Sequence, residues 1–318
     1  AEMFSSARDF NQPLDGWNVS SVTNMNSMFA EADDFNQNLD SWNVSNVTTM
    51  ISMFNGADSF NGPVGNWNVS SVTNMNSMFR NASSFDQPIG GWDVSSVTNM
   101  NSLFAFTPFN QDISMWDLTS VTTISGMFTF SQFNQNINTW DVSNISNMST
   151  TFSGAVFNQP IDMWDVSGVT DMSAMFTSAQ VFNQDIGMWD VSNVGFMGNM
   201  FSNANAFNQD LSAWDVTSVI NMSGMFNLTL AFDQSLGAWD VSNVQAMTAM
   251  FSNSGISVDK YDQTIIGWAA LPGPLQNGVT FGGFNVFYCT SGPERAALSA
   301  NYGWIFDDGG LQCPAGEI

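Results

Sequence analysis

Basic residues are scarce in this chain of 318 residues, which holds 4 Lys plus Arg against 28 Asp plus Glu and has a formal net charge of −24. Because so few cations cannot neutralise phosphate groups, we expect the protein to bind neither nucleic acid nor an anionic membrane surface. Histidine is absent, which excludes Ser-His-Asp and Cys-His nucleophile systems and imidazole metal ligands. The sequence also lacks a run of about 18 apolar residues, so no segment is predicted to insert into a membrane.

Cysteine is the next scarce residue, since Cys289 and Cys313 are the only two. Both lie near the C-terminus, and their spacing and surroundings predict one local disulfide rather than a redox motif or a metal site. Apolar side chains are plentiful, with 44% hydrophobic residues that include 12 Trp, 28 Phe and 21 Met. This composition fills a large core, so the chain is predicted to be a folded, acidic, soluble protein.

A repeat of 24 or 25 residues organises the chain. Its consensus is F-N-Q-x-L-x-x-W-[DN]-V-S-x-V-T-N-M-x-x-M-F, and ten copies run from Phe10 to Phe251. The tryptophans that mark the period are Trp17, Trp42, Trp67, Trp92, Trp116, Trp140, Trp164, Trp189, Trp214 and Trp239. A period in this range is typical of a solenoid, in which each repeat forms one coil and stacks on its neighbours.

Each coil is predicted to contain one short strand and one short helix. The L-x-x-W-x-V spacing from Leu14 to Val19 and the alternation through W-N-V-S predict a half-buried strand. The apolar residues of V-T-N-M-x-x-M-F recur at intervals of three and four, which predicts one or two turns of helix that begin near Ser20. Stacked coils would pair their strands in parallel, so the predicted fold class is a leucine-rich-repeat-like solenoid.

The repeat pattern stops after the tenth copy. We therefore predict a repeat solenoid over residues 1–251 and a C-terminal α/β cap over residues 252–318. Within the cap a helix is predicted over residues 293–302, with Pro in its first turn, and the predicted disulfide would fasten it to adjacent strands. Residues 1–9 begin inside a repeat, so we expect this chain to be part of a longer one.

Several motifs of the repeat and the cap occur together across essentially the whole chain. They are the W-D-V-S-x-V-T-N-M-x-x-M-F core, the F-N-Q lead-in, and a cap with Tyr288-Cys289, Tyr302-Gly303-Trp304 and D-G-G-L-x-C at Asp308 to Cys313. In these features the chain resembles the BspA-like leucine-rich-repeat surface proteins, although Glu294 precedes Arg295 where an Ala is expected. The resemblance implies a solenoid displayed on or secreted from a cell and used for adhesion or protein binding, and it names no ligand.

In a stacked solenoid each repeat position becomes a column of side chains about 4.8 Å apart. The exposed residues that follow the tryptophans form what we call the acidic column: Asn18, Asn43, Asn68, Asp93, Asp117, Asp141, Asp165, Asp190, Asp215 and Asp240. Its neighbouring carboxylates repel by about 0.9 kcal/mol at the dielectric constant of water, so the repulsion must be relieved. Hydrogen bonding to the Ser or Thr two residues on, or to turn amides, is one interpretation. The other is bridging by Ca²⁺, with Asp117, Asp141, Asp165 and Asp190 as candidate ligands, although no known calcium motif is present.

Two further polar columns are predicted from the repeat. The Asn of F-N-Q, beginning with Asn11 and Asn36, is expected to satisfy backbone groups of adjacent coils. The Thr of V-T-N-M, beginning with Thr23 and Thr48, is expected to cap the predicted helix, and the alternative is a hydroxyl row that matches ice or another regular surface.

These observations together predict a non-enzymatic, extracellular or cell-surface binding or adhesion module. The acidic column is the predicted contact surface, for a cationic protein or glycan partner or for an anionic surface reached through Ca²⁺. The alternative is recognition of ice, mineral or polysaccharide by regular polar rows. Catalysis is not expected, because no repeat carries an additional acid-base constellation, and an enzyme would have its cleft near Asp259 to Asp262.

Overall fold

The computed structural model describes residues 1–313. The chain divides into two compact units, Ala1–Trp164 and Asp165–Ile318. The helices and strands of the described residues all lie in the second unit, as α1 (Val258–Ala269), β1 (Thr280–Gly283), α2 (Gly292–Tyr302) and β2 (Ile305–Asp308). The two strands pair in parallel. Among residues 1–313 no helix is both long enough and apolar enough to cross a membrane.

Within each unit the repeats form stacked coils joined by parallel pairing. In the first unit single parallel bridges connect the third residue of V-T-N in successive coils, namely Asn24, Thr49, Asn74, Asn99, Thr123 and Asn147. In the second unit the same position connects Asp171, Phe196, Asn221 and Ala246. The predicted repeat solenoid with parallel pairing between coils is thus confirmed within each unit.

The predicted helix in each coil is wrong, because the V-T-N-M-x-x-M-F segment is a run of tight turns. The Phe29 N–H donates to the carbonyl of Met53 in the next coil at 2.8 Å, not to a carbonyl four residues earlier. The Met28 N–H closes a turn onto the carbonyl of Met25 at 3.2 Å. Ser27 has a φ of 52°, a left-handed value that a right-handed helix does not accommodate. Apolar spacings of three and four residues fit such turns as well as they fit a helix.

The predicted strand at W-x-V-S is also wrong, because this segment forms no strand and connects two tight turns. The Trp17 N–H donates to the Leu14 carbonyl at 3.0 Å, and the Val22 N–H donates to the Val19 carbonyl at 2.8 Å. The tryptophan side chain makes the connection between coils instead, since Trp42 Nε1–H donates to the Leu14 carbonyl at 2.9 Å. An alternation over four residues is too short to distinguish a strand from two adjacent turns.

The core of each coil is a layer of aromatic and methionine side chains. Phe54 lies 3.9 Å from Phe60 in its own coil and 5.5 Å from Phe79 in the next, measured between ring centroids. Trp42 is 3% exposed because the preceding coil covers it, whereas Trp17 in the first coil is 42% exposed. Burial of the core therefore depends on the neighbouring coil, as expected for a repeat that cannot bury its apolar face alone.

The segment that follows the last coil imitates a coil on the side that contacts the repeats. Trp268 in α1 donates its Nε1–H to the Leu236 carbonyl at 2.9 Å, as the tryptophan of a coil does. The Ser257 N–H donates to Asp233 Oδ1 at 2.8 Å and takes the place of the next F-N-Q asparagine. The carbonyls of Gly282 in β1 and of Phe284 just after it accept the N–H groups of Phe251 and Asn253, in place of the carbonyls of a next coil. Unrelated residues thus complete the pairing of the last coil.

The C-terminal region contains the predicted disulfide and the predicted helix. Cys289 and Cys313 are bonded, with an S–S distance of 2.06 Å, so the disulfide is confirmed. α2 has Pro in its first turn and matches the helix predicted over residues 293–302 to within one residue. The predicted cap over residues 252–318 stays a prediction, and its last five residues, 314–318, lie outside the described residues.

Candidate functional site

The acidic column lies at the start of the turn that follows each tryptophan. Ser95 Oγ–H donates to Asp93 Oδ1 at 2.6 Å, and the Ser95 N–H donates to the same oxygen at 3.2 Å. The same pair of bonds recurs at Asn18, Asn43, Asn68, Asp117, Asp141, Asp165 and Asp215. The predicted hydrogen bonding to the Ser or Thr two residues on is confirmed.

At Asp117, Asp141 and Asp190 these bonds favour the ionised carboxylate and lower its pKa. The Ser143 hydroxyl, followed by the Ser143 amide, holds the pKa of Asp141 below its usual range, while slight burial and the nearby charge of Asp117 act in the opposite direction. The pKa of Asp190 is lowered by its Ser192 partner in the same way. Asp93, like Asp141 and Asp190, is exposed to solvent. The column therefore carries accessible negative charges at neutral pH.

Neutral asparagines build the same turn as the aspartates. Ser20 donates to Asn18 Oδ1 at 2.7 Å from its hydroxyl and at 3.1 Å from its amide. Thr119 donates to Asp117 Oδ1 at 2.6 Å and 3.0 Å from the corresponding groups. The geometry of the turn therefore does not require a negative charge, and the Oδ2 atom of each aspartate is not used by these bonds.

The structure places the predicted calcium ligands in different units. Asp117 and Asp141 lie in the first unit, and Asp165 and Asp190 lie in the second. Within residues 1–313, no three His, Cys, Asp or Glu side chains form a group that could hold a metal ion. The calcium site stays a prediction.

The F-N-Q asparagines form a second column whose role is structural. Asn11 Oδ1 accepts the Asn36 N–H at 3.0 Å, and Asn36 Oδ1 accepts the Asn61 N–H at 2.9 Å. In the second unit Asn183 Oδ1 accepts the Asn208 N–H at 2.9 Å. Each side chain thus satisfies a backbone amide of the next coil, and the predicted role is confirmed.

The V-T-N-M threonines form an exposed row in the first unit. The Thr48 hydroxyl donates to the Thr23 carbonyl at 3.1 Å, and the hydroxyls of Thr73 and Thr98 donate to the preceding threonine in the same way. The predicted helix-capping role is wrong, because the coil contains no helix for these hydroxyls to cap. Their carbonyl partner lies in the preceding coil, so they hold successive coils in register.

Asp262 lies at the end of the segment from Asp259 to Asp262, where an enzyme would be expected to have its cleft, and its carboxylate is buried and fully hydrogen-bonded. Asp262 is 3% exposed and accepts five hydrogen bonds from the amides of Cys289, Thr290 and Ser291 and the hydroxyls of the last two. Burial alone raises the pKa of Asp262, but these bonds outweigh it and hold the pKa below its usual range. This carboxylate fixes the loop that precedes α2.

One concave site is not evident from the repeat pattern. It lies where the acidic column ends, between the last coil and the loop that follows α1, and we call it the cap pocket. Its lining residues are Asp240, Ser242, Asn243, Leu271, Pro272, Gly273, Pro274 and Gln276. The L-P-G-P sequence from Leu271 signals a rigid loop, but only the tertiary structure brings that loop beside Asp240.

Comparison with known proteins gives a family and no function. No curated protein and no solved structure matches the chain. One family model matches three times, over residues 1–86, 62–162 and 146–268, and these overlapping matches agree with tandem repeats. Together they extend over all ten coils and into α1, so the chain belongs to the family described as Mycoplasma protein of unknown function, DUF285.

Proposed function

We propose that this protein is a non-enzymatic binding or adhesion module, outside or on the surface of a cell, whose acidic column binds the cationic surface of a protein or glycan. The observation that carries the proposal is that Asn18 and Asp117 form the same turn. Since an uncharged residue is sufficient for the turn, the fold does not require the negative charges of the column, and they are available to a partner.

Repulsion between neighbouring carboxylates also supports a cationic partner. Adjacent carboxylates about 4.8 Å apart repel by about 0.9 kcal/mol at the dielectric constant of water, and the Asp117 charge does act against ionisation of Asp141. Asparagine at every position would remove this repulsion and keep the hydrogen bonds. A cationic partner would neutralise this repulsion by pairing with the carboxylates. The long-range electric field of the column would also speed association with such a partner.

The resemblance to BspA-like surface proteins supports the location and the adhesive role. It is the only basis for placing the protein outside or on a cell. The leucine-rich-repeat-like coil that the resemblance implied has no counterpart in the turns of residues 1–257, so the proposal rests on the charge and hydrogen bonding of the column.

A charge-neutral variant of the column tests the proposal. The variant carries Asp93→Asn, Asp117→Asn and Asp141→Asn. It should fold normally, because Asn18 shows that the turn accepts asparagine. With poly-L-lysine as the probe, we expect the dissociation constant to rise about tenfold at low salt, and the difference should shrink as salt screens the charges.

The matched control removes three charges elsewhere in the first unit. The control variant replaces three exposed aspartates outside the column, by Asp9→Asn, Asp15→Asn and Asp34→Asn. This variant should weaken poly-L-lysine binding by less than about threefold, the change expected from net charge alone. Equal losses in the two variants would show that the column is not a binding surface.

The calcium-dependent form of the proposal has its own test. If Ca²⁺ bridges the column, saturating Ca²⁺ at 100 times its dissociation constant should stabilise the protein by about 2.7 kcal/mol, and Mg²⁺ should not. The Asp141→Asn variant should lose this effect. An unchanged thermal midpoint in millimolar Ca²⁺ would remove calcium from the proposal and leave the cationic partner.

The threonine row supports a second candidate function, recognition of ice or another regular surface. Its hydroxyls are held at regular spacing by the bonds from Thr48, Thr73 and Thr98 to the preceding coil. If this candidate is right, Thr73→Tyr should abolish inhibition of ice recrystallisation, while the protein should stay folded and lose only the stability of one hydrogen bond, about 1 kcal/mol. Absence of such inhibition in the unaltered protein would exclude ice as the ligand.

A further inference from the structure

In the cap pocket a carboxylate of the acidic column lies in a concavity. The pocket has a volume of about 390 Å³ and is lined on one side by Asp240 and Ser242 of the last coil and on the other by Leu271, Pro272 and Pro274. Asp240 is half-buried there, whereas Asp215 in the preceding coil is exposed. The loop therefore places Asp240, one member of the acidic column, in the wall of a pocket.

The loop that forms the second wall is held in place at its C-terminal end. Gln276 Nε2–H donates to the Ser242 carbonyl at 3.2 Å, and Trp304 Nε1–H donates to the Gln276 carbonyl at 2.9 Å. Leu275 beside it is 5% exposed and packs into the core of the second unit. Because the protein's own side chains fix the loop, the pocket is preorganised and a ligand need not order it.

The hydrogen bonds at Asp240 differ from those in the rest of the column. The Ser242 N–H donates to Asp240 Oδ1 at 3.0 Å, but the structure records no accompanying bond from the Ser242 hydroxyl. In the preceding coil Thr217 donates both its N–H and its hydroxyl to Asp215 Oδ1. Asp240 Oδ2 and Ser242 Oγ are therefore two oxygen acceptors that face no competing donor within this turn.

We infer that the cap pocket binds a primary ammonium group on an aliphatic stem, such as a lysine side chain of the partner. This inference rests on the proposed function, because it names the group by which a cationic partner is held. The ammonium would donate to Asp240 Oδ2 and Ser242 Oγ. Its methylene stem would pack on Leu271 and Pro272, and prolines have no N–H that could compete for the carboxylate.

The same geometry favours an ammonium over a guanidinium group. A guanidinium binds best to a carboxylate with both oxygens free for two parallel hydrogen bonds. The Ser242 N–H occupies one of the two acceptor positions of Asp240 Oδ1, which restricts the direction of a second parallel bond, so a compact point charge with rotatable donors fits better than a planar fork. Lysine derivatives should therefore bind more tightly than arginine derivatives.

The test uses the full chain and Nα-acetyl-lysine methylamide as the probe, with binding followed by NMR shifts of the Ser242 and Gly273 amides. Asp240→Asn should weaken binding at least fivefold, since it removes the charge and keeps the acceptor of the Ser242 amide. The matched control is Asp215→Asn, at the equivalent position of the preceding coil, which does not line the pocket. It should alter the dissociation constant by less than twofold.

A second pair of variants tests the pocket without changing any charge. A Cβ atom added at Gly273, which lines the pocket, meets no other atom within 4 Å, so Gly273→Trp is expected to fold and its indole to block the pocket, with loss of probe binding. Gly91→Trp is the control, because a Cβ atom added at Gly91 also meets no other atom within 4 Å and Gly91 lies in the first unit. Unchanged thermal midpoints would confirm that all four variants fold.

Further probes separate the sources of the ammonium group. Tighter binding of acetyl-lysine methylamide than of butylamine would indicate a lysine side chain, and the reverse would indicate a small free amine; both agree with the ammonium site. The inference is overturned if the lysine probe does not bind, if Asp240→Asn or Gly273→Trp leaves its binding unchanged, or if the arginine analogue binds equally well. Loss of poly-L-lysine binding in the Asp93, Asp117 and Asp141 variant reports on the proposed function separately, because those residues lie in the first unit.

Discussion

A coil and the C-terminal segment make the same contacts to the coil that precedes them, although their sequences are unrelated. Trp239 Nε1–H donates to the Leu211 carbonyl at 2.8 Å, and Trp268 Nε1–H in α1 donates to the Leu236 carbonyl at 2.9 Å. The difference lies in what each does with its remaining polar groups. The backbone groups of a coil form hydrogen bonds with the next coil. The C-terminal segment instead satisfies its polar groups within itself, for example in the hydrogen-bonded cluster around Asp262.

The two regions therefore respond differently to the same chemical change. In a coil, a polar side chain is one member of a column and its turn tolerates either Asn or Asp. In the C-terminal segment, a polar side chain has partners that no neighbouring repeat can replace.

The C-terminal segment also ends the pairing of backbones. Its outer strand, β2, has only four residues and ends in Asp307 and Asp308, and a short, charged strand is a poor template for further pairing.

The largest expected effect tests whether Trp268 replaces the tryptophan of a coil. Trp92→Ala and Trp268→Ala should each lower the free energy of unfolding by about 3–5 kcal/mol, because both indoles are buried and donate to a carbonyl of the preceding coil. Chemical denaturation measures both values.

The control for this pair is Trp17→Ala. Trp17 is 42% exposed, so its removal should cost less than half as much as the removal of Trp92. If Trp268→Ala cost no more than Trp17→Ala, the idea that α1 imitates a coil would be wrong.

The next effect concerns the disulfide, which occurs in the C-terminal segment and has no equivalent in the coils. Replacement of Cys289 and Cys313 by serine should lower the free energy of unfolding by about 3 kcal/mol, since the bond closes a loop over a sequence separation of 24 residues. Reducing agent should destabilise the unaltered protein by a similar amount and leave the double variant unaffected. A reductant effect that persists in the double variant would show that another process is responsible.

The same substitution at two aspartates gives the sharpest contrast between the regions. Asp262→Asn should cost about 2–3 kcal/mol, because the new amide NH₂ would face donors from Thr290 or Ser291 that now bind an oxygen. Denaturation of this variant and of the unaltered protein at pH 7 gives the difference.

Acidification checks the role assigned to Asp262. Its pKa is lowered in the folded state, so its stabilising contribution is complete above the ordinary carboxyl pKa of about 4 and is lost as the pH falls through the lower folded pKa. Between pH 5 and pH 3 the unaltered protein should therefore lose more stability than Asp262→Asn. Parallel losses would mean that the charge of Asp262 is not what holds the loop.

The smallest expected effect is that of Asp117→Asn. Since Asn18 accepts the same two hydrogen bonds, we expect a change in the free energy of unfolding of less than about 0.5 kcal/mol. Thermal denaturation at low salt would reveal any gain from reduced repulsion. A loss comparable to that of Asp262→Asn would contradict the view that the charge is unnecessary for the turn, and with it the main support for the proposed function.

Much of the candidate site could be predicted from the sequence. The position of each aspartate after a tryptophan, with Ser or Thr two residues on, predicted both the column and its hydrogen bonds, because a bond from residue i+2 to residue i is local. The role of the F-N-Q asparagines followed from the period alone. The cap pocket could not be predicted, because it needs the loop at Pro272 to lie beside Asp240, and no periodicity relates the two.

The sequence by itself determined the period, the buried tryptophan, phenylalanine and methionine columns, and the disulfide between Cys289 and Cys313. These features depend on which residues recur and at what interval. Only the tertiary structure decided that V-T-N-M-x-x-M-F forms turns and not a helix, and that W-x-V-S connects two turns and is not a strand. The physical reason is that a backbone amide such as that of Phe29 can donate within its own coil or to the next one, and the spacing of apolar residues is the same in both cases.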